Sequence, residues 1–461
     1  MKRLLPQLLL VAIIVTMLAG CAQQTQQAFN LAPPIAGPAQ RSSMTKLLGS
    51  GKIQHVFIIV QENRTPDNLF NGLPGADTVT FGMNSHGQQV PLQPELLTAP
   101  YDLAHSHSAF LTEYANGKLN GFDLDVSHCQ RAHRRQCPPK DTRAYAYVPQ
   151  YEVQPYFDLA ETYAFGDRMF ETNQGPSFPA HQYLLSGTST IKKNSRLRAS
   201  ENPLSPQNVW TGGCDAPVGS LVLVIDQYGN ENQSMYPCFD RPSLTDLIQA
   251  QSLTWHYYQE NIGPGLWDAP DAIKHVRYSP QYYTDVVKPP KRVIRDIRYG
   301  QLANVVWVTP TLRASDHAGN TDGSGPSWVA AVVNAIGSSQ YWNSSAIFVT
   351  WDDWGGFYDH VKPTIYNSYE LGFRVPLIVI SPYAKSHYVS HKQHEFGSIL
   401  KFVEETFGLG SLGVTDVRAD DLSDCFQFSQ KARPFTTIRA PLGADYFLRQ
   451  PDSNENPDDD F

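Results

Sequence analysis

Four short apolar runs constrain this chain most: Val56 to Val60, Val305 to Val308, Ala346 to Thr350 and Val375 to Ile380. Each is rich in Val and Ile or flanked by turn residues, the pattern of parallel strands covered on both faces. Helical patterns lie among them. Ser327 can cap a helix that turns Val329, Val332, Val333 and Ile336 to one side and stops at Gly337. Ser243 can cap another through Leu244, Leu247 and Ile248, and a third runs near Phe396 to Phe407, with Ile399, Phe402, Val403 and Phe407 inward. The alternation predicts an α/β fold, a mainly parallel central sheet with helices on both faces. The stretches 120–150 and 190–240 lack periodicity and read as loop-rich insertions.

Open sheets of this kind bind ligands beyond the carboxyl ends of their strands. The polar residues collect there. The first run leads into Gln61-Glu62-Asn63-Arg64-Thr65, the second into a loop with Asp316-His317, and the third into Trp351-Asp352-Asp353-Trp354. Asp352 and Asp353 repel each other unless a cation or donors compensate. Carboxylate, amide and imidazole groups from three strand ends can converge on one divalent ion. A hydroxyl candidate is Ser177, held between Gly175-Pro176 and Pro179 in what reads as a stiff, non-helical turn. Its surroundings do not match the G-x-S-x-G elbow of α/β-hydrolases.

Composition narrows the alternatives. Hydrophobic residues at 41% and charged residues at 17% exclude a disordered chain and a coiled coil. A net charge of −8 argues against a nucleic-acid partner. Lys2 and Arg3 precede an apolar run from Leu8 to Ala19, too short to span a bilayer and closing on Leu18-Ala19-Gly20-Cys21. That ending resembles a bacterial lipobox, with Cys21 lipidated. The expectation is a lipoprotein signal over 1–20, a flexible tether over 21–50, a catalytic domain over 51–445 and a disordered acidic tail over 446–461. The chain would be exported to the bacterial cell envelope and held at the membrane by its N-terminal lipid. Disulfides persist after export, and Cys129–Cys137 and Cys214–Cys238 are the expected pairs, with Cys425 left over.

From Gln54 to about Leu409 the chain resembles the bacterial phosphoesterase family that contains phospholipases C and acid phosphatases, within the alkaline phosphatase-like superfamily. The resemblance rests on His55-Val56-Phe57-Ile58-Ile59-Val60-Gln61-Glu62-Asn63-Arg64 and on Trp351-Asp352-Asp353-Trp354-Gly355-Gly356-Phe357-Tyr358-Asp359-His360. Shorter blocks follow in order: Asp102-Leu103-Ala104-His105-Ser106, Gly175-Pro176-Ser177, Ser315-Asp316-His317 and Arg374-Val375-Pro376. The resemblance implies an alkaline phosphatase-like fold. It implies that Glu62, Asn63, Asp352 and Asp353 bind metal together with Ser177, the nucleophile. It places His105 and His317 at the phosphate, with His107 the alternative to His105. Asp316, Asp359 and His360 are expected on the substrate side.

The activity implied is metal-dependent phosphate-ester hydrolysis through a phosphoseryl intermediate, of phosphatase or phospholipase C type. One or more divalent ions serve as cofactor, and the substrate is a small phosphate ester or a phospholipid. Two other readings stand beside it, a noncatalytic surface-binding lipoprotein that keeps the fold and a sulfatase-like hydrolase. Cys129 is followed by Gln130-Arg131-Ala132, not by the Pro-Ser-Arg pattern of sulfatases.

Overall fold

The structure is a computed structural model and describes residues 47–453. Its centre is an eight-stranded sheet. The strands in chain order are β1 (His55–Gln61), β2 (Ala164–Gly166), β3 (Trp255–Tyr258), β4 (Val286–Val287), β5 (Val305–Val308), β6 (Ser345–Trp351), β7 (Leu377–Ile380) and β8 (Tyr388–Ser390). Their order across the sheet is β4-β3-β5-β1-β6-β7-β2-β8. β1 runs at the middle, parallel to both neighbours, with Val56 opposite Val305 on one side and Ala346 on the other. Every residue of β5, β6 and β7 is buried, so both faces of the sheet are covered, as the unbroken apolar runs require.

One strand departs from expectation. β7 begins at Leu377, two residues later than its apolar run, and runs antiparallel to β6 and β2. A parallel neighbour needs a crossover, usually a helix. Residues 352–376 hold no helix, and the chain returns directly beside β6. The other sheet pairings are parallel.

The helices of eight or more residues, together with one shorter helix foreseen in the sequence, are α1 (His107–Tyr114), α2 (Gln154–Thr162), α3 (Ser177–Ser186), α4 (Leu244–Ala250), α5 (Arg292–Tyr299), α6 (Gly325–Gly337) and α7 (Phe396–Phe407). α4 starts at the expected Ser243, which forms a reciprocal capping box with Asp246. α6 starts before the expected Ser327: Ser324 is its cap and Pro326 lies in the first turn, where a missing N–H costs nothing. Ser327 Oγ instead accepts from Leu442 N at 3.3 Å.

The insertion at 190–240 is not all loop. Arg198–Ala199, Val222–Ile225 and Gln233–Met235 form a three-stranded antiparallel sheet. Both expected disulfides are present and Cys425 is free and buried. Trp255, Tyr257 and Tyr258 are buried core residues of β3.

Both expected boundaries shift outward. Leu48–Gly51 forms a short 3-10 helix, and Lys52 Nζ donates to Phe428 O at 2.5 Å, so the end of the expected tether is packed. At the other end Ala444–Arg449 is helical, with Phe447 buried against Trp328 at a ring separation of 5.3 Å. Lys291 pairs with Asp452 at 2.6 Å. Residues 446–453 therefore belong to the body, because an apolar anchor and an ion pair hold them. The expected signal, Cys21, most of the tether and residues 454–461 lie outside the described residues.

Candidate active site

β1 and β6 are in register over seven residues, ending with Gln61 opposite Trp351. Glu62-Asn63 and Asp352-Asp353, which follow them, therefore emerge side by side. Asp352 N donates to Gln61 O at 3.0 Å and Arg64 N to Asp353 O at 3.0 Å, which locks the two turns together. Asn63 takes a left-handed conformation, φ 62, that Asn tolerates better than most side chains. Its N–H donates to Asp352 Oδ1 at 3.1 Å. Gly355, at φ 63, passes so close that a Cβ there would stand 2.4 Å from Asn63 O, so this turn admits only glycine.

Ser177 is not in a non-helical turn. It is the first residue of α3, after Pro176. Pro176 suits the entry to a helix, whose first N–H groups are unpaired in any case. A nucleophile placed there gains from the positive end of the helix dipole, which favours an anion on its hydroxyl or on a bound phosphoryl group. Ser177 Oγ lies 3.4 Å from both Glu62 Oε2 and Asp353 Oδ2.

All these groups are buried: Glu62, Asn63, Asp352, Asp353 and Ser177 are each 0% exposed. Three carboxylates, an amide and a hydroxyl thus share one buried cluster. One atom points to what the cluster accepts: Asp352 Oδ2 has no hydrogen-bond partner. The Asn63 side-chain amide lies 3.2 Å from Asp352 Oδ1 and Glu62 Oε2 and 3.0 Å from His105 Nε2. The oxygen set fits a divalent ion.

His181 was not among the residues expected at the site. Its Nε2 lies 3.2 Å from Glu62 Oε1 and 3.8 Å from Asp352 Oδ2, and its ring stacks on Trp267. The signal was its position four residues after Ser177, which puts both side chains on one helix face. Glu171 was not expected there either. It is fully buried, and neither carboxyl oxygen has a hydrogen-bond partner. Burial pushes its pKa well above the ordinary carboxylate range, and the charges of Asp353 and Asp352 raise it further.

The two expected histidines meet at the site. His105 Nδ1 donates to Leu103 O at 2.8 Å, so Nε2 faces Asn63. His317 Nδ1 donates to Ala318 O at 2.9 Å, and the two rings are 5.9 Å apart. His107, the alternative to His105, points elsewhere, its Nδ1 3.0 Å from Glu231 Oε2. The loop carrying His317 continues through Gly319 and Asn320 into the wall of a cleft of about 950 Å³, lined also by Gln130, His133 and Arg313.

The three residues expected on the substrate side have protein partners here. Asp316 Oδ2 accepts from Tyr156 Oη at 2.8 Å and Trp351 Nε1 at 3.0 Å, behind the sheet end; burial raises its pKa to about 6. Asp359 receives the guanidinium of Arg374 at 2.6 Å. His360 lies between Asp67 at 2.7 Å and Asp77 at 3.1 Å. Each is taken up by a buried or half-buried partner and not by the Ser177 cluster.

A model of the Phosphoesterase family matches residues 53–410. The non-hemolytic phospholipase C of Burkholderia pseudomallei is 23% identical over 93% of this chain and 66% of its own length. The non-hemolytic phospholipase C of Pseudomonas aeruginosa is 23% identical, over 85% of this chain and 60% of that protein. The chain thus spans somewhat under two thirds of these relatives. Phospholipase C B of Mycobacterium tuberculosis is 28% identical over 83% of this chain and 79% of its own. Among solved structures, a protein in the alkaline phosphatase superfamily from Vibrio parahaemolyticus is similar with a TM-score of 0.37 at 9% identity, over 81% of this chain and 70% of that one. A family match over most of the length, from the residue before β1's approach to the end of α7, means that this chain belongs to the Phosphoesterase family.

Proposed function

We propose that the chain hydrolyses phosphate esters with Ser177 as nucleophile and a divalent cation as cofactor. One observation carries the reading: a serine hydroxyl at a helix N-terminus lies 3.4 Å from two carboxylates that no substrate anion could approach without compensation. Glu62, Asn63, Asp352, Asp353 and Ser177 are the residues that would hold the ion. When bound, the ion neutralises phosphoryl oxygens and lowers the pKa of a nearby hydroxyl.

The side chains supply the rest. Ser177 gives its proton to the carboxylate group beside it, Glu62 Oε2 or Asp353 Oδ2. Its oxygen then attacks phosphorus in line: the Oγ–P bond forms and the bond to the leaving oxygen breaks. His105 and His317 have Nδ1 committed as donors to backbone carbonyls, so each donates from Nε2 only as an imidazolium; in that form one would hold a phosphoryl oxygen and the other protonate the leaving alcohol. Water then attacks the phosphoserine and gives its proton to the now neutral imidazole, the Oγ–P bond breaks, and Ser177 recovers its proton from the carboxyl group. His181 positions Glu62 from behind. The phospholipase C names of the relatives bring phospholipids into the substrate range, beside simple monoesters.

Export and anchoring through Cys21 belong to the same reading. The Leu18-Ala19-Gly20-Cys21 ending supports it, and two disulfides suit an oxidising compartment. Mass spectrometry of the mature N-terminus should find a lipidated Cys21; an unmodified, uncleaved Met1 would end this part.

The activity test compares an aryl phosphate, an aryl phosphorylcholine and an aryl sulfate on metal-reconstituted protein. Turnover of either phosphate with a trapped phosphoserine at Ser177 supports the proposal. Turnover of the sulfate alone, or full activity in verified metal-free protein, sinks it.

A further inference from the structure

The one free cysteine among the described residues sits in a second cluster. His394, Asp424 and Cys425 each offer one ligand atom, and these atoms lie within 4.8 Å of one another. His394 and Cys425 are fully buried, and the Asp424 side chain is 9% exposed. Three segments meet there: β8 through Ser390, the approach to α7 through His394, and the 3-10 turn Ser423–Cys425.

The imidazole is held as a ligand would be. His394 Nδ1 lies 2.8 Å from Asp420 Oδ1, and since a carboxylate only accepts, Nδ1 carries the proton. Nε2 is thereby aimed at Ser390 Oγ, 3.0 Å away, and toward Asp424 Oδ1 at 4.0 Å. A carboxylate behind a histidine is the usual means of orienting a metal-binding ring. Asp424 Oδ2 accepts from the Ser390 hydroxyl, but Oδ1, on the His394 side, is buried with no hydrogen-bond partner.

The geometry points to a zinc-class divalent cation held by Cys425 Sγ, His394 Nε2 and Asp424 Oδ1, with Asp420 behind the imidazole. A thiolate, an imidazole and a carboxylate together suit a borderline ion; hard Mg²⁺ and Ca²⁺ take oxygen donors. Binding releases the Cys425 thiol proton to solvent. The role is structural. The ion ties the segment between β8 and α7, which carries His394, to the 3-10 turn Ser423–Cys425, which packs beside the edge strand β8. The site is independent of the Ser177 cluster, whose donors are oxygens and one imidazole.

Cobalt separates the two sites, because only a thiolate ligand gives thiolate-to-Co²⁺ charge-transfer absorption. Full-length protein with both disulfides intact should develop that absorption with about one equivalent of Co²⁺, lose it to added Zn²⁺, and not show it in Cys425→Ser. The Glu62→Gln variant should keep it. Absence of the absorption in native protein whose Cys425 is titratable after unfolding overturns the site, as does its survival in Cys425→Ser. Should Cys425→Ser fail to fold, Asp424→Asn serves: Co²⁺ affinity should fall at least ten-fold, and unchanged affinity overturns the site.

Discussion

The segments after β1 and β6 each feed two acidic clusters, and the clusters have opposite characters. Glu62 and Asp352-Asp353 meet at Ser177, where an imidazole is in contact and Asp352 Oδ2 lacks a hydrogen bond. A few residues further along the same segments, Asp67 and Asp359-His360 meet at Arg374. There every charge has a partner. The guanidinium, 0% exposed, reaches Asp359 at 2.6 Å and Asp67 at 3.3 Å, and its Nη1 donates to the carbonyls of Asp77 and Asp167. Buried charge is balanced in one place by internal pairing; in the other the proposed cation would balance it. Membership of one acidic motif therefore does not imply one set of partners: one half is paired within the protein, and the other is the half to which the proposed chemistry is assigned.

The largest contrast should come from Ser177→Ala. Removing a nucleophile costs on the order of 10³-fold or more in turnover. Here phospho-enzyme trapping should vanish as well, while the urea midpoint stays near that of the native chain. Turnover within ten-fold of native would remove Ser177 from its role.

Next come the acids. Glu62→Gln or Asp353→Asn should lower turnover at least about 100-fold, since even groups that only support metal ligands cost 10–100-fold when changed. The metal-free chain should become no less stable, because a buried like charge is removed. The rise in melting temperature on adding divalent cations should shrink in the same variants. In the other cluster the pattern reverses. Arg374→Met leaves Asp359 and Asp67 buried without their cation, and such breaks cost about 3–5 kcal/mol. Denaturant titration should show that loss, with turnover per folded molecule within a few-fold of native. A stable but inactive Arg374→Met would dissolve the distinction between the clusters.

Much of this was legible in the sequence, for definite reasons. Unbroken apolar runs mark strands covered on both faces, so β1, β5 and β6 were visible. β2, β4 and β8 were not: at two or three residues they carry no period, and they exist because neighbouring strands pair with them. The direction of β7 depended on the absence of a crossover between 352 and 376, which its own residues do not encode. At the site, Glu62, Asn63, Asp352 and Asp353 were legible through strand-end position. Ser177 was legible only through resemblance, and its reading as a turn residue failed because Pro opens helices as readily as it shapes turns. The pairing of Asp359 with Arg374 was not legible, because Arg374 lies in a separate block fifteen residues on, where no spacing rule links the two.

The finest test concerns His360, whose raised pKa in the satisfied cluster has a definite pH signature. Burial alone would lower its pKa, but the hydrogen bond and charge of Asp67, with the charge of Asp359, outweigh burial and Arg374, and the pKa lies above 6.5. The folded state thus favours the protonated ring. Its contribution to stability is fully present below pH 6.5 and is lost as pH rises through the raised value. The stability difference between the native chain and His360→Asn should therefore be largest near pH 6 and close toward pH 9. Its size stays within ~1 kcal/mol, because the ring is partly exposed and solvent screens it. A difference that grows with pH would mean that the ring is neutral between Asp67 and Asp77, and that Arg374 alone balances the cluster.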